Sequence, residues 1–174
     1  MLDLPLERDV PQDRRRAARV TILGVSGSLR AASKNTTVLA GLVGVTLFEG
    51  LRGLPAFDPD REEADAPLVA HWREAIEGAD AVLFCSPEYA HGLPGALKNA
   101  LDHLVGSGEF SGKPVGVLNI SPHSRFAHVQ LEEVLRTMDA RVIPEACATI
   151  LPTQEKDLAR LVVILAASPR TRSD

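Results

Sequence analysis

The sequence predicts a single α/β domain built on a parallel sheet. Two observations carry this. Several segments read as continuous apolar runs, as strands buried on both faces do. Between them lie segments with apolar residues at helical spacing, and that alternation is the pattern of a doubly wound sheet covered by helices on both sides. A length of 174 residues suits one such domain and supports a core without staples.

The elements follow in order. Residues 20–25, with Val20, Ile22, Leu23 and Val25, form a β-rich run after a charged stretch and read as the first strand. A short helix is expected from Asn35 to about Leu42, and a second strand over 43–48. Pro67 opens a helix that runs to Glu77 and stops at Gly78, following the preference for Pro at helix starts and Gly at helix ends. Residues 79–85, ending in Phe84 and Cys85, are the third strand. Pro94 opens the next helix, which runs to Val105 before Gly106; Leu97, Leu101, Leu104 and Val105 recur at helical spacing. A fourth strand is expected over 115–120 and a fourth helix over 126–140. A fifth strand region begins at Arg141 and extends toward Ile150, and a last helix covers 155–167.

Composition removes several functions. There are 19 Lys+Arg against 23 Asp+Glu, a net charge of −4, whereas nucleic-acid binders carry a basic surface. No apolar run reaches the roughly 18 residues of a membrane helix. Residues 1–19 are charged and Pro-interrupted, lack a signal-peptide apolar region, and read as a flexible tail in which Arg14, Arg15 and Arg16 are solvated. The domain is expected over 20–168 and a frayed end over 169–174. Cys85 and Cys147 stand alone in apolar surroundings without a C-x-x-C, as buried thiols of a cytoplasmic protein do. His123 and His128 are five apart, not on one helical face, and no metal site is assigned.

In such sheets ligands bind outside the carboxyl ends of the strands, at the point where strand order reverses. The loop after the first strand holds Ser26, Gly27, Ser28, Leu29, Arg30, Ser33, Asn35 and Thr36, and it opens a helix. A helix N-terminus presents unpaired N–H groups and a partial positive charge. The hydroxyls and the amide add donors without bulk, and Arg30 adds a fork for phosphate oxygens. Ser33 or Asn35 would cap any helix, but a cap alone does not explain the whole set. The motifs G-x-x-x-x-G-K-[ST] and G-x-G-x-x-G are both absent. A hydroxyl-rich loop suits a terminal monophosphate, and FMN at the switch point of a flavodoxin-like order, 2-1-3-4-5, is the natural candidate.

The loop after the third strand carries Ser86, Pro87, Glu88, Tyr89, His91, Gly92 and Pro94. Pro87 holds Ser86 extended, Gly92 permits positive φ or close backbone approach, and Pro94 starts a helix. This is a rigid wall for a flat ring, with the chain's single Tyr in its middle. Glu88 is either a charge facing the ligand, a helix cap or a contact across a subunit interface.

These two segments, Gly27-Ser28-Leu29-Arg30 with Ser33 and Asn35, and Pro87-Glu88-Tyr89 with Gly92, Pro94, Gly95 and Leu97-Lys98-Asn99-Ala100 before Asp102, resemble the NADPH-dependent FMN reductases. The resemblance covers about residues 20–150. It implies a flavodoxin-like three-layer sandwich with five parallel strands, here with a shortened first crossover helix. It implies FMN, with its phosphate held by Ser26, Ser28, Leu29, Arg30, Ser33, Asn35 and Thr36. The ring would lie against Pro87, Glu88, Tyr89, His91 and Gly92, and near Ser121 after the fourth strand, with Pro122 and His123 alongside. NADPH or NADH would be the co-substrate, flavins, quinones, azo compounds or other small molecules the acceptors, and a homodimer or homotetramer the assembly. The hard chemistry would belong to the cofactor, so no side chain is nominated as catalytic. Two other readings are an FMN-binding electron carrier without NADPH activity and a non-catalytic interaction protein of the same fold.

Overall fold

The computed structural model describes residues 20–60 and 66–171; the proposed tail over 1–19 and the last three residues lie outside them. Six parallel strands form one sheet: β1 (Ile22–Ser26), β2 (Val45–Leu47), β3 (Ala81–Cys85), β4 (Pro114–Asn119), β5 (Arg141–Val142) and β6 (Ala148–Thr149). The order is β2-β1-β3-β4-β5, with β6 also on β4, which is the expected 2-1-3-4-5 arrangement. β1, β3 and β4 are buried at every position, as their unbroken apolar runs require.

Five helices cover the two faces: α1 (Lys34–Gly41), α2 (Pro67–Gly78), α3 (Gly95–Asp102), α4 (Phe126–Thr137) and α5 (Glu155–Ala166). One core gathers Trp72 and Ile76 of α2, Leu97 and Leu101 of α3, and Leu131 and Leu135 of α4 against the sheet. On the other face Leu39 of α1 packs with Leu158, Leu161 and Leu165 of α5. In the first layer Trp72 is fully buried, lies 4.5 Å from the Phe48 ring, and donates from Nε1 to the Ala100 carbonyl at 2.8 Å. The ammonium of buried Lys113 caps the C-terminal end of α2, donating to Glu77 O at 3.1 Å and Ala79 O at 2.6 Å, a favourable place for a cation.

The structure departs from the expected spans at several places: α3 ends at Asp102 rather than Val105, β2 covers Val45–Leu47 rather than 43–48, and three further departures have a visible cause. The fifth strand is split. Pro144, which has no N–H for a ladder, starts a 3-10 turn over Pro144–Ala146. β5 pairs with the start of β4 and β6 with its end. Gly116 faces this turn, where a Cβ would stand 2.8 Å from the Ala146 carbonyl. α4 stops at Thr137 rather than at 140. Asp139 takes φ 60°, Ala140 N bonds Leu135 O at 3.0 Å and Asp139 N bonds Arg136 O at 3.0 Å, a Schellman closure made without glycine. Finally, residues 169–171 are bonded rather than frayed. Arg170 grips the Glu77 carboxylate with two contacts of 3.2 Å and the Ser111 carbonyl at 3.1 Å, while Thr171 N donates to Gly112 O at 3.0 Å.

Replacing Trp72 by Ala opens a cavity in the first layer and removes a buried hydrogen bond. Urea unfolding of Trp72→Ala is expected to show a loss of about 3–5 kcal/mol; a loss below about 1 kcal/mol would contradict this packing of α2.

Candidate active site

The carboxyl ends of β1, β3 and β4 lie side by side, and the site is built from the three loops that leave them. The first loop folds back on its own hydroxyls. Ser26 Oγ accepts from Thr36 Oγ1 at 2.8 Å and from Ser28 N at 3.3 Å, which ties the end of β1 to the first turn of α1. Ser28 Oγ accepts from Arg30 N at 3.3 Å, and Ser33 caps α1 by accepting from Thr36 N at 3.3 Å. Gly27 N donates to Cys85 O at 3.0 Å. A Cβ on Gly27 would stand 2.2 Å from Ser86 Oγ and 2.8 Å from Ser86 Cβ, so the first and second loops touch only because this residue has no side chain. The Arg52 guanidinium bonds the Leu29 carbonyl from outside. Arg30 and Lys34 are exposed beside the helix start.

Asn35 is buried at the base of this loop. Its Oδ1 accepts from Cys85 Sγ at 3.2 Å, and burial pushes the Cys85 thiol up to about 12. The thiol is therefore a structural donor rather than a nucleophile.

The second loop is a tight hairpin. Tyr89 and Gly92 exchange two main-chain hydrogen bonds, Tyr89 N to Gly92 O at 3.0 Å and Gly92 N to Tyr89 O at 2.9 Å. The two residues between them, Ala90 and His91, take φ 48° and 59°, the backbone of a type I′ turn. The left-handed positions thus fall on Ala90 and His91, not on Gly92. Non-glycine residues there are strained and need anchoring. The His91 ring stacks on Phe126 with centroids 4.6 Å apart, and Gln130 Oε1 accepts from Leu93 N at 2.8 Å.

Glu88 supplies the third anchor. Its Oε2 accepts from the main-chain N–H groups of Arg125 (2.8 Å), Phe126 (2.6 Å) and Ala127 (3.0 Å) and from Ser124 Oγ (3.3 Å). This is a helix cap from a distant residue, satisfying donors that Arg125 at the N-cap position leaves open. The hydrogen bond from Ala127 N–H does most to hold the Glu88 carboxyl below its ordinary value of 4.5; desolvation opposes it, and the Phe126, Arg125 and Ser124 donors add to it. Of the three roles left open by the sequence, the structure shows the cap.

Between the loops lies a cavity of about 440 Å³. It brings together four of the residues expected at the site, Asn35, Pro87, Glu88 and Ser121, and adds Ser86, Asn119 and Ser124. Ser26, Ser28, Leu29, Arg30, Ser33 and Thr36 form the adjoining helix-start loop rather than the cavity wall. Tyr89 and His91 stand on the exposed hairpin tip, and Tyr89 is 55% exposed. Asn119 organises the third loop, accepting from Ser121 N at 3.0 Å and donating to Ser124 O at 2.9 Å; a polar residue ending an apolar strand was its only local signal. Arg52 reaches the site from a 3-10 turn and Gln130 from α4, and neither left a pattern to read. Pro122 and His123 also line the cavity.

The residues present fit FMN. A helix start with neutral hydroxyl donors and exposed cations suits its phosphate, and a cavity walled by a Pro-stiffened hairpin suits a flat ring. Sheet order, switch-point cavity and paired loops define the class as flavin-dependent oxidoreductases of flavodoxin-like fold. The comparisons agree. Residues 20–151 match the NADPH-dependent FMN reductase family. An NAD(P)H-dependent FMN reductase of Pseudomonas aeruginosa is 36% identical over 126 residues, covering 67% of this chain and 68% of that protein. A quinone reductase of Pseudomonas putida is 39% identical over 110 residues, covering 56% of this chain and 58% of that protein. The solved flavoenzyme NAD(P)H:(acceptor) oxidoreductase of Paracoccus denitrificans superposes with a TM-score of 0.70 at 28% identity, over 86% of this chain and 96% of that one. The chain belongs to the NADPH-dependent FMN reductase family; it is an oxidoreductase whose cofactor is FMN and whose co-substrate is NAD(P)H.

Because the folded pKa of Glu88 is depressed, its contribution to stability is complete above the ordinary carboxyl value of 4.5 and is lost as pH falls through the lower folded value. Glu88→Gln should therefore lower Tm most near neutral pH, and the gap to the parent should close as pH falls below 4.5 and through the lowered value. A gap that stayed constant would show that the charge does not cap α4.

Proposed function

We propose that the protein passes two electrons from NAD(P)H, by way of FMN, to small quinone-type acceptors. The observation that carries this reading is the cavity between the phosphate-type loop and the strained hairpin, at the switch point of the sheet. FMN, when bound, would supply the redox chemistry between the nicotinamide and a second acceptor. The chain's own residues bind and orient. Ser26, Ser28, Leu29, Arg30, Ser33, Asn35 and Thr36 hold the phosphate. Pro87, Glu88, Tyr89, His91, Gly92 and Ser121 wall the ring, Glu88 by fixing the hairpin to α4. Tyr89, exposed at the hairpin tip, borders the acceptor. A quinone is favoured by similarity to the Pseudomonas putida quinone reductase. The same reading makes the protein a homodimer or homotetramer; exposed Phe126 and Val129, one turn apart on α4, support a second copy there.

The purified protein should be yellow, lose its colour with NAD(P)H in the absence of air, and regain it on adding benzoquinone. Colour that NAD(P)H leaves intact would instead make it an electron carrier served by other donors. The double change Ser28→Ala with Arg30→Ala removes charge-assisted phosphate contacts. It is expected to weaken FMN binding about 10–100-fold, roughly 1.4–3 kcal/mol, by fluorescence titration of the apoprotein. An unchanged Kd would place the phosphate elsewhere.

A further inference from the structure

His128 sits in the first turn of α4, beneath the active-site cavity. Its Nε2 lies 2.8 Å from Glu132 Oε1, and the other Glu132 oxygen meets Arg136 Nη2 at 2.5 Å. The remaining ring nitrogen, Nδ1, is buried without a hydrogen-bond partner. An orphaned nitrogen in that position is unfavourable unless something small binds it. A cavity of about 10 Å³ lies at the same place, and its polar lining is His128, Ser86, Asn119 and Ser124. That volume holds one water molecule. Ser86, Asn119 and Ser124 also line the 440 Å³ cavity, so they form the wall the two spaces share. On that wall Ser124 Oγ donates to Glu88 at 3.3 Å and Ser86 Oγ donates to Pro87 O at 3.1 Å.

We propose that His128 holds the proton used in quinone reduction and passes it to the active-site cavity through one water bound at Nδ1 and the hydroxyls of Ser86 and Ser124. This rests on the quinone-reductase reading. NAD(P)H is oxidised, giving up two electrons and one proton as hydride. The quinone is reduced, taking up two electrons and two protons to form two O–H bonds. One proton per turnover must therefore come from water. His128 gives up Nδ1–H toward the Ser86 and Ser124 wall while Nε2–H stays on Glu132, and Nδ1 takes its next proton from solvent water by the same route. Imidazole is suited to this because it has a nitrogen at each end. Glu132 pairs with it and Arg136 pairs with Glu132; Cys147 of the turn before β6 feels the charges of Glu132, Arg136 and Glu145. Burial pushes the Cys147 thiol up to about 11, so it keeps its proton and does not compete. Since His128 acts through other groups, it is a positioning residue.

Two acceptors separate this role from a structural one. Benzoquinone needs protons, whereas ferricyanide takes electrons alone. In the FMN-loaded enzyme, His128→Gln should slow benzoquinone turnover by about 10–100-fold while ferricyanide turnover changes by less than about twofold and FMN content and circular dichroism are kept. Equal loss with both acceptors, or loss with neither, overturns the proposal. If His128→Gln does not fold, Glu132→Gln should show the same split. Independently of turnover, nitrogen NMR of the parent protein should show a long-lived water at His128 Nδ1, lost in Ser124→Ala; no such water overturns the relay. A parent enzyme that reduces ferricyanide but no quinone refutes the quinone reading instead, and the water signal then decides the site at Nδ1.

Discussion

The site depends on one carboxylate seated on one helix end. α4 starts at Phe126, and its first N–H groups have no acceptor on the adjacent Arg125 side chain. Glu88 fills that place with three main-chain hydrogen bonds. The consequence is mechanical. The hairpin after β3 becomes part of the α4 layer, and the left-handed backbone of Ala90 and His91, each unfavourable by about 1–2 kcal/mol, is held by Glu88, by the stacking of His91 on Phe126 and by Gln130. A rigid wall for a flat ring comes from this clamp as much as from Pro87.

The same contact bears on where an anion binds. Of the helices that begin at this edge of the sheet, α1 and α4 are the two whose capping groups differ in charge. At α4 the end is neutralised by the protein's own carboxylate. At α1 it is capped by the neutral hydroxyl of Ser33, with Arg30 and Lys34 exposed nearby. An anionic ligand meets repulsion at one and attraction at the other. On the proposed reading, the difference between Glu88 and Ser33 fixes the phosphate at α1 and turns the rest of the cofactor toward the hairpin.

What could be read from the sequence was local. β1, β3 and β4 declared themselves by unbroken apolar runs, and the residues that matter followed directly from their ends. What could not be read depended on partners far along the chain. Glu88 was legible as a functional charge, but its choice among ligand, cap and interface rests on Arg125, Phe126 and Ala127, a strand and a helix away. Arg52, Gln130 and His128 sit in patterns indistinguishable from solvated turns and helix faces. The split of the fifth strand had a visible cause in Pro144, yet its accommodation depends on Gly116 in another strand. Asp139 closed α4 in a conformation usually left to glycine, so the helix ran on in the sequence reading.

The first crossover is short, and its geometry shows where the shortness falls. α1 has 8 residues, about 12 Å of rise, whereas β1 with 5 residues spans roughly 16 Å. The helix alone falls short of the far edge of the sheet. Leu42 to Gly44 make up the difference, and β2 still begins opposite Ile22, the first residue of β1. The shortage appears there instead: Val43 is 89% exposed and β2 is only 3 residues long and half-buried. The loop from Gly27 to Ser33 keeps its bonds among Ser26, Ser28, Ser33 and Thr36. Because a helix is fixed at its N-terminus by the cap and by the strand before it, removing turns moves its C-terminal end. On the proposed reading, the phosphate-binding end stays where β1 places it.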